Sequence, residues 1–562
     1  MKRDLQRLAD ETFDVLIIGG GIYGACAAWD SALRGLKVAL VEKGDFGHAT
    51  SANSMKVIHG GLRYLQDGNL RMVRALNRER EIFMHIAPHL VHPLSFIMPT
   101  HGRGLRSKGA FGLAMAMNNY LGAAERNNVD PAKKLPRART VGTAELEKLA
   151  PGLYTDGVTG GAVWYDAQVY NTERLTLAFV MSASARGAAI ANYIEATEIR
   201  RSGNRVLGAR LFDSLEDKEL EVSARVVLIA AGASLTGPLS EIGVNPVLGS
   251  DHLALAVNLV TRQILPEHGI GLMVGYSPSN GASPSRRAHT AFIVPWRDQS
   301  LVGTFLLPRP DPMSENGSLQ GDVDQMLLDI NRAYPPAQLT KTDVRHVHKG
   351  LVPVVGDERT GLELMRRSRV VDHQDADGID GLISVVGVKY TTARMIAKEL
   401  VDLIFVKLGK LPPDCRTYEE PLLGGGIDAM HQFLREASES RPANLPEASV
   451  ENIARSYGSE YPRLYETIRA DPAAASLVDG QKRVVRAQVL QALRHEMAMK
   501  LSDVVMRRTD LGAAGVPGAK VLRDCADLAA AEVGWSKDRV EQELREVQEL
   551  FHVDRNPRVP QH

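Results

Sequence analysis

Phe13-Asp14-Val15-Leu16-Ile17-Ile18-Gly19-Gly20-Gly21-Ile22-Tyr23-Gly24 is the stretch that decides the fold of this chain. The run Phe13 to Ile18, rich in Val and Ile, reads as a buried parallel strand. After the glycines, the alanine-rich stretch Ala25 to Leu33 reads as a helix stopped at Arg34-Gly35. Lys37 to Val41 then makes a second strand closed by Glu42. In a strand–turn–helix–strand unit each glycine has a physical task. Gly19 makes the tight turn, Gly21 lets the backbone approach a pyrophosphate, and Gly24 lets the helix pack closely on the strand. The free N–H groups of the helix start face the phosphates. Glu42, about 20 residues beyond the glycines, is spaced to accept hydrogen bonds from ribose hydroxyls. The unit therefore predicts dinucleotide binding. The fingerprint leaves FAD and NAD both open, and its place early in a long chain leans toward FAD only by analogy.

The next informative stretch runs from Ala49 through Thr50, Ser51, Asn53, Ser54, Met55, Lys56, Val57, Ile58, His59 and Gly60-Gly61 to Leu62-Arg63-Tyr64-Leu65. It reads as a hydroxyl-rich loop feeding a short apolar strand. Thr50, Ser51 and Ser54 offer donors to a phosphate or a flavin edge, and Lys56, His59, Arg63 and Tyr64 add polar tips. A solvated turn with scattered charges is the alternative reading.

Composition narrows the class. The chain has 562 residues, of which 44% are hydrophobic and 24% charged, as in an ordinary soluble globular protein. At about 150 residues per domain the length allows four domains, and a dominant α/β unit reduces the expectation to two or three. Lys plus Arg (67) balances Asp plus Glu (67), so no global charge points to nucleic acid. Cys26, Cys415 and Cys525 are widely separated, which argues against a disulfide framework or a metal cluster and predicts a reducing cytosol. The charged first residues, Met1 to Glu11, lack the apolar core of a secretory signal. No uninterrupted apolar run approaches the ~18 residues of a membrane span.

The loop resembles that of the FAD-dependent glycerol-3-phosphate dehydrogenases, which carry Ala-Thr-Ser-Ser-x-x-Ser-Lys-Leu-Ile-His-Gly-Gly-Leu-Arg-Tyr after the same glycine turn. The resemblance recurs in order along most of the chain. It includes Ala87-Pro88-His89-Leu90, Trp164-Tyr165-Asp166 before Glu173-Arg174-Leu175, Val226 to Gly232, Gly249-Ser250-Asp251-His252, the hairpin Phe292 to Thr304, and Ser384 to Arg394. What it implies is an α/β architecture. A Rossmann-like FAD-binding domain (about 12–65, 160–250 and 350–410) would hold an inserted mixed β-sheet substrate domain (about 66–159 and 250–350). Together these make a unit 1–415, followed by an all-helical C-terminal domain, 416–562.

The implied FAD-binding residues are Gly19, Gly21, Gly24, Glu42, Thr50, Ser51, Ser54, Lys56, His59, Gly232, Gly387, Lys389 and Thr391. Arg63, Tyr64, His252 and Lys389 are implied to face the reacting atoms, and the substrate-binding set adds Arg367 and Arg369. Oxidising a secondary alcohol moves a hydride to the flavin while a base takes the hydroxyl proton. His252 is the residue expected to be that base, because imidazole titrates near neutrality, and a structural histidine is the alternative. Lys389 lies where a strand becomes a helix, a poor place for a cation unless an anion is near. No metal is expected.

The chain also departs from the family. The family's Gly-Val-Arg-Pro-Leu, whose arginine binds the substrate phosphate, is Gly350-Leu351-Val352-Pro353-Val354 here. Valine cannot supply an arginine's paired hydrogen bonds. A second arginine of the family corresponds to Arg367 or Arg369. Gly-Thr-Thr-Asp becomes Gly303-Thr304-Phe305-Leu306, and Gly-Gly-Lys becomes Gly387-Val388-Lys389. The cofactor half is intact, whereas the substrate half is edited.

Two further regions carry expectations. Arg71, Arg74, Arg78 and Arg80 mark a basic helix, and Arg103, Arg106 and Lys108 precede the apolar run Ala110 to Met117. This run either rests on an anionic membrane surface or packs into the substrate domain. Val484 to Arg508 has apolar residues at helical spacing. The function implied is oxidation of sn-glycerol 3-phosphate to dihydroxyacetone phosphate, with electrons passed to quinone. The alternatives are another polyol phosphate or a non-phosphorylated alcohol as substrate, or an inactive FAD-binding interaction protein. The expected partners are the polyol phosphate, a quinone, a peripheral membrane contact and a second copy in a homodimer. The expected location is the cytoplasm, at the cytoplasmic face of the inner membrane.

Overall fold

The computed structural model describes residues 1–102, 104–122, 130, 133–153, 157–232, 252–275, 289–308, 319–356, 362–478 and 484–551. Among these, eight strands form a first sheet and ten a second. In the first sheet, strand Thr12–Ile18 pairs in parallel with Lys218–Ile229 on one side and Val38–Glu42 on the other. Leu382–Val386 and Ala189–Asn192 extend it in parallel at the two flanks. Every residue of Val38–Glu42 is buried, as a parallel strand covered on both faces requires.

Helix Ile22–Leu33 packs against helices Thr172–Ala185 and Ala393–Lys407. Its Ala25, Ala27 and Ala28 share one core with Ala178, Ala183 and Ala397, small side chains that let helix axes approach. Gly35, at φ +82°, ends the first of these helices. Its N–H reaches Ala32 O, while that of Leu36 reaches Ser31 O, the paired bonds of a left-handed C-terminal turn.

The second sheet is mostly antiparallel with one parallel pair, His268–Val274 on Val91–His101, and so is mixed. Hairpin strands His289–Trp296 and Gln299–Leu307 form as the alternating pattern predicts. Helix Gln320–Ala333 covers one face with Val323, Met326, Leu327 and Ile330. Two expected segment boundaries fall inside strands of this sheet. Val158–Val169 pairs along the whole of Val91–His101, and Val344–Val355 pairs with Leu253–Arg262. The chain therefore leaves the second sheet after Val169 and, since the short strand Glu363–Leu364 still pairs with Val344–Val355, again after Leu364, rather than near 160 and 350. Pairing with a distant strand, invisible to a local pattern, sets those limits.

From residue 430 to residue 550 the described structure is helical, with two cores of its own. The helical pattern from Val484 to Arg508 is not one helix. Helix Arg486–His495 stops, Met497 takes φ +54°, and a short turn at Leu501–Asp503 leads into a π-type turn at Val504–Arg508. The stop coincides with Glu496, whose buried carboxylate holds both terminal nitrogens of Arg174 from the first-sheet unit.

Candidate cofactor and active site

The glycine turn is built as its spacing predicts. Gly19 has φ +111°, and a Cβ there would lie 2.6 Å from Ala230 O. A Cβ on Gly24 would lie 1.9 Å from Gly19 O, which no side chain tolerates. Glu42 is buried at the end of its strand and accepts Gly20 N–H at 2.6 Å and Gly44 N–H at 2.9 Å. A carboxylate has about four acceptor sites, so its remaining lone pairs are open to ribose hydroxyls. Ser51 Oγ accepts Ile22 N–H at 3.0 Å, and a Cβ on Gly21 would stand 3.2 Å from that oxygen. Gly232, at φ +60°, follows the strand whose end abuts Gly19; residues 233–251 lie outside the described structure. This cradle fits a dinucleotide.

The loop beyond it is tied to the second sheet. Thr50 Oγ1 donates to Leu351 O at 2.9 Å, and Asn258 Nδ2 donates to Asn53 O at 3.0 Å. Ser54 Oγ accepts Lys56 N–H at 3.2 Å. Lys56 departs from its expected role. Its ammonium is fully buried, bonds Glu173 at 2.8 and 2.9 Å and Ala52 O at 2.9 Å, and lies 5.0 Å from the Trp296 ring centroid. It is an internal anchor of the loop, because a buried cation must be paired where it sits. His59 N–H donates to Thr391 Oγ1 at 3.3 Å, joining the loop to the turn after Leu382–Val386, and burial lowers the His59 pKa.

That turn carries the cationic group. A Cβ on Gly387 would strike the Tyr23 ring at 2.3 Å. The Tyr23 hydroxyl accepts Val388 N–H at 3.1 Å and Lys389 N–H at 3.2 Å, and donates to Lys389 O at 2.9 Å. Lys389 Nζ donates to the Tyr64 hydroxyl and, at 2.7 Å, to Arg366 O. Burial pushes the Lys389 pKa down to about 8, helped by the Arg63 and Arg366 charges. Arg63 is 76% exposed and stands 3.7 Å from Glu363, while Arg366 pairs with Asp67 at 2.8 Å. Tyr64 and Lys389 are thus bonded to each other with the Arg63 charge close by, and Arg366 and Tyr23, which sequence reading missed, join them. Arg367 and Arg369 are exposed, the latter opening the edge strand Arg369–Asp372. Three arginines within Arg366–Arg369 were the available signal for Arg366.

His252 is exposed at the head of strand Leu253–Arg262. Leu253 is in register with Pro353, whose carbonyl accepts Met365 N–H at 3.0 Å, so His252 stands at the Arg366 end of the sheet. Val352 is buried opposite Ala254, in a cluster with Ala256, Val354, Leu306 and Leu362. That wall is apolar. Among the described residues no group of three or more His, Cys, Asp or Glu is arranged to hold a metal ion.

Residues 14–403 match the family model described as FAD dependent oxidoreductase, and residues 415–540 match that of the C-terminal domain of alpha-glycerophosphate oxidase. A glycerol-3-phosphate dehydrogenase of Synechocystis sp. is 29% identical over 98% of this chain and 98% of its own. Glycerol-3-phosphate dehydrogenase 1 of Mycobacterium bovis is 31% identical over 91% of this chain and 93% of its own. The X-ray structure of the Bacillus halodurans glycerol-3-phosphate dehydrogenase complexed with FAD superposes with a TM-score of 0.72 at 22% identity, covering 99% of this chain and 98% of that one. It shares the fold described above.

Proposed function

This chain belongs to the FAD-dependent oxidoreductases, in the glycerol-3-phosphate dehydrogenase family, and on that premise we propose that it oxidises sn-glycerol 3-phosphate to dihydroxyacetone phosphate. The observation that carries the reading is the convergence of Lys389, Arg63 and Arg366 around Tyr64, a cationic mouth matched to a phosphate dianion. Gly19, Gly21, Gly24, Glu42, Thr50, Ser51, Ser54, His59, Gly232, Gly387 and Thr391 would hold FAD. Bound FAD supplies the two-electron acceptor for the hydride of the carbinol carbon. The chain's own part is to hold the phosphate with Lys389 and the arginine forks, to fix Lys389 through Tyr23, and to take the hydroxyl proton on His252.

The electron pair then passes to a quinone, in our reading, at a membrane surface. Helix Lys108–Leu121 supports this: Leu113 is 64% and Tyr120 82% exposed, Arg106 and Lys108 are exposed at its start, and Arg71 and Arg74 are exposed on helix Leu70–Ile86, which packs against it. Among the described residues no helix is long and apolar enough to cross a membrane. We place the protein peripherally, on the cytoplasmic face of the inner membrane, and read the homodimer as its assembly.

A second reading changes the substrate to another polyol phosphate or a non-phosphorylated alcohol. The apolar wall of Val352, Val354, Ala254 and Ala256 favours it. Anaerobic addition of glycerol 3-phosphate to the purified flavoprotein decides between them. Rapid loss of the oxidised flavin's visible absorbance supports the first reading. Absorbance that persists, yet falls with dithionite, overturns it and leaves a panel of alcohols to find the substrate. A flavin that no alcohol reduces would mark an FAD-binding interaction protein.

A further inference from the structure

The segment Arg507-Arg508-Thr509-Asp510 lies where the helical domain meets both sheet units, and its charges divide between them. Asp45, three residues beyond Glu42, is fully buried. It receives Arg508 Nη1 at 2.7 Å and Nη2 at 2.8 Å, Arg507 Nε at 2.5 Å and Asn192 Nδ2 at 3.0 Å. Burial alone would raise its pKa, but Arg508 and then Arg507 hold the carboxyl well below the usual carboxylate range. Asp510 turns the other way. It accepts Arg297 Nη2 at 2.7 Å, Asn171 Nδ2 at 3.0 Å and Tyr170 OH at 3.1 Å, at the hairpin and the end of a second-sheet strand, and Asn452 Nδ2 at 2.6 Å within the helical domain.

Asp45 is gripped at the point where the nucleotide cradle is closed. Gly44, just before it, donates its N–H to Glu42 at 2.9 Å, and Gly47, two residues after it, donates to Gly20 O at 3.0 Å. Phe46, between them, is buried against Gly20, where an added Cβ would lie 2.7 Å from its ring. A shift of Asp45 would therefore pass directly to Glu42 and Gly20.

We propose that Asp45, Arg507 and Arg508 are positioning residues for the cofactor: the C-terminal domain acts as a bracket that keeps the 42–47 loop closed on the adenosine half of FAD. Asp510, in the same segment, bonds Tyr170, Asn171, Arg297 and Asn452 instead of the 42–47 loop. The inference rests on Glu42 being part of the FAD cradle.

The test titrates deflavinated full-length protein with FAD and follows flavin fluorescence, alongside thermal unfolding. Asp45→Asn and Arg507→Gln are expected to weaken FAD binding about tenfold or more, with excess FAD restoring a full complement of flavin. Asp510→Asn is expected to lower the unfolding temperature while leaving the FAD dissociation constant within about twofold. Equal weakening by Asp510→Asn would mean general loosening of the domain and overturns the proposal, as would unchanged affinity in Arg507→Gln. Should Asp45→Asn fail to fold, Arg507→Gln, which keeps the Arg508 fork, carries the test. Glu42→Gln with unchanged FAD affinity would instead sink the reading of the cradle itself.

Discussion

Tyr23 and Lys389 are joined twice: the phenol oxygen accepts the Lys389 N–H at 3.2 Å and donates to the Lys389 carbonyl at 2.9 Å. One side chain of helix Ile22–Leu33 thus fixes the turn that aims the ammonium. Tyr23→Phe leaves the N–H groups of Val388 and Lys389 without that acceptor, at a cost of about 1–3 kcal/mol. The expected outcome is a roughly tenfold loss of kcat/KM for glycerol 3-phosphate with flavin content preserved. Steady-state kinetics beside a flavin-to-protein ratio check it. Wild-type kinetics in the variant would show that the turn needs no such brace.

Lys389 titrates near 8, well under its ordinary 10.5, because burial and the neighbouring arginines disfavour its charged form. The cation, present below that pH, is the form that attracts a phosphate. KM for glycerol 3-phosphate should therefore rise as pH climbs through about 8. A bound dianion favours the cation, so the corresponding limb of kcat should lie at higher pH. Lys389→Arg stays charged throughout and should lose the KM limb. A limb at the same pH in that variant would assign the titration to another group.

Much of the first-sheet unit was legible because short-range sterics decide it. Gly19 and Gly24 admit no side chain, and Val38–Glu42 is an unbroken buried run, so twelve-residue patterns suffice there. The hairpin after His289 was legible for the same reason. What distant pairing decides was not. Strand Val158–Val169 belongs to the second sheet only because Val91–His101 meets it, and Tyr23 sat in a position where the glycine fingerprint accepts any residue. Lys56 misled most: a hydroxyl-rich loop gave no sign that Glu173, from another helix, would bury its charge.

That pair gives a stability prediction. Glu173→Gln leaves the Lys56 ammonium buried without its counter-ion and should cost about 3–5 kcal/mol in urea unfolding. Lys56→Met combined with Glu173→Leu removes both charges and should recover most of the loss, since a buried ion pair replaced by apolar groups is often neutral. The double variant should also keep its FAD. A folded double variant that cannot bind FAD would return Lys56 to the cofactor site.

Arg366 tests how a phosphate can be held when Val352 stands where the resembled family has arginine. The valine is locked among Ala254, Ala256 and Val354, so nothing on that wall can supply a donor fork. Arg366 lies across from it, its carbonyl bonded to Lys389 and its guanidinium resting on exposed Asp67, a surface pairing weak enough to be exchanged for an anion. Arg366→Gln should raise KM for glycerol 3-phosphate about tenfold while changing kcat little, the signature of lost uniform binding. Oxidation of glycerol itself, which has no phosphate to hold, should be unaffected by the same change. Equal losses on both substrates would show that Arg366 serves the turn rather than the phosphate, and a variant indifferent to phosphate altogether would favour the non-phosphorylated alcohol.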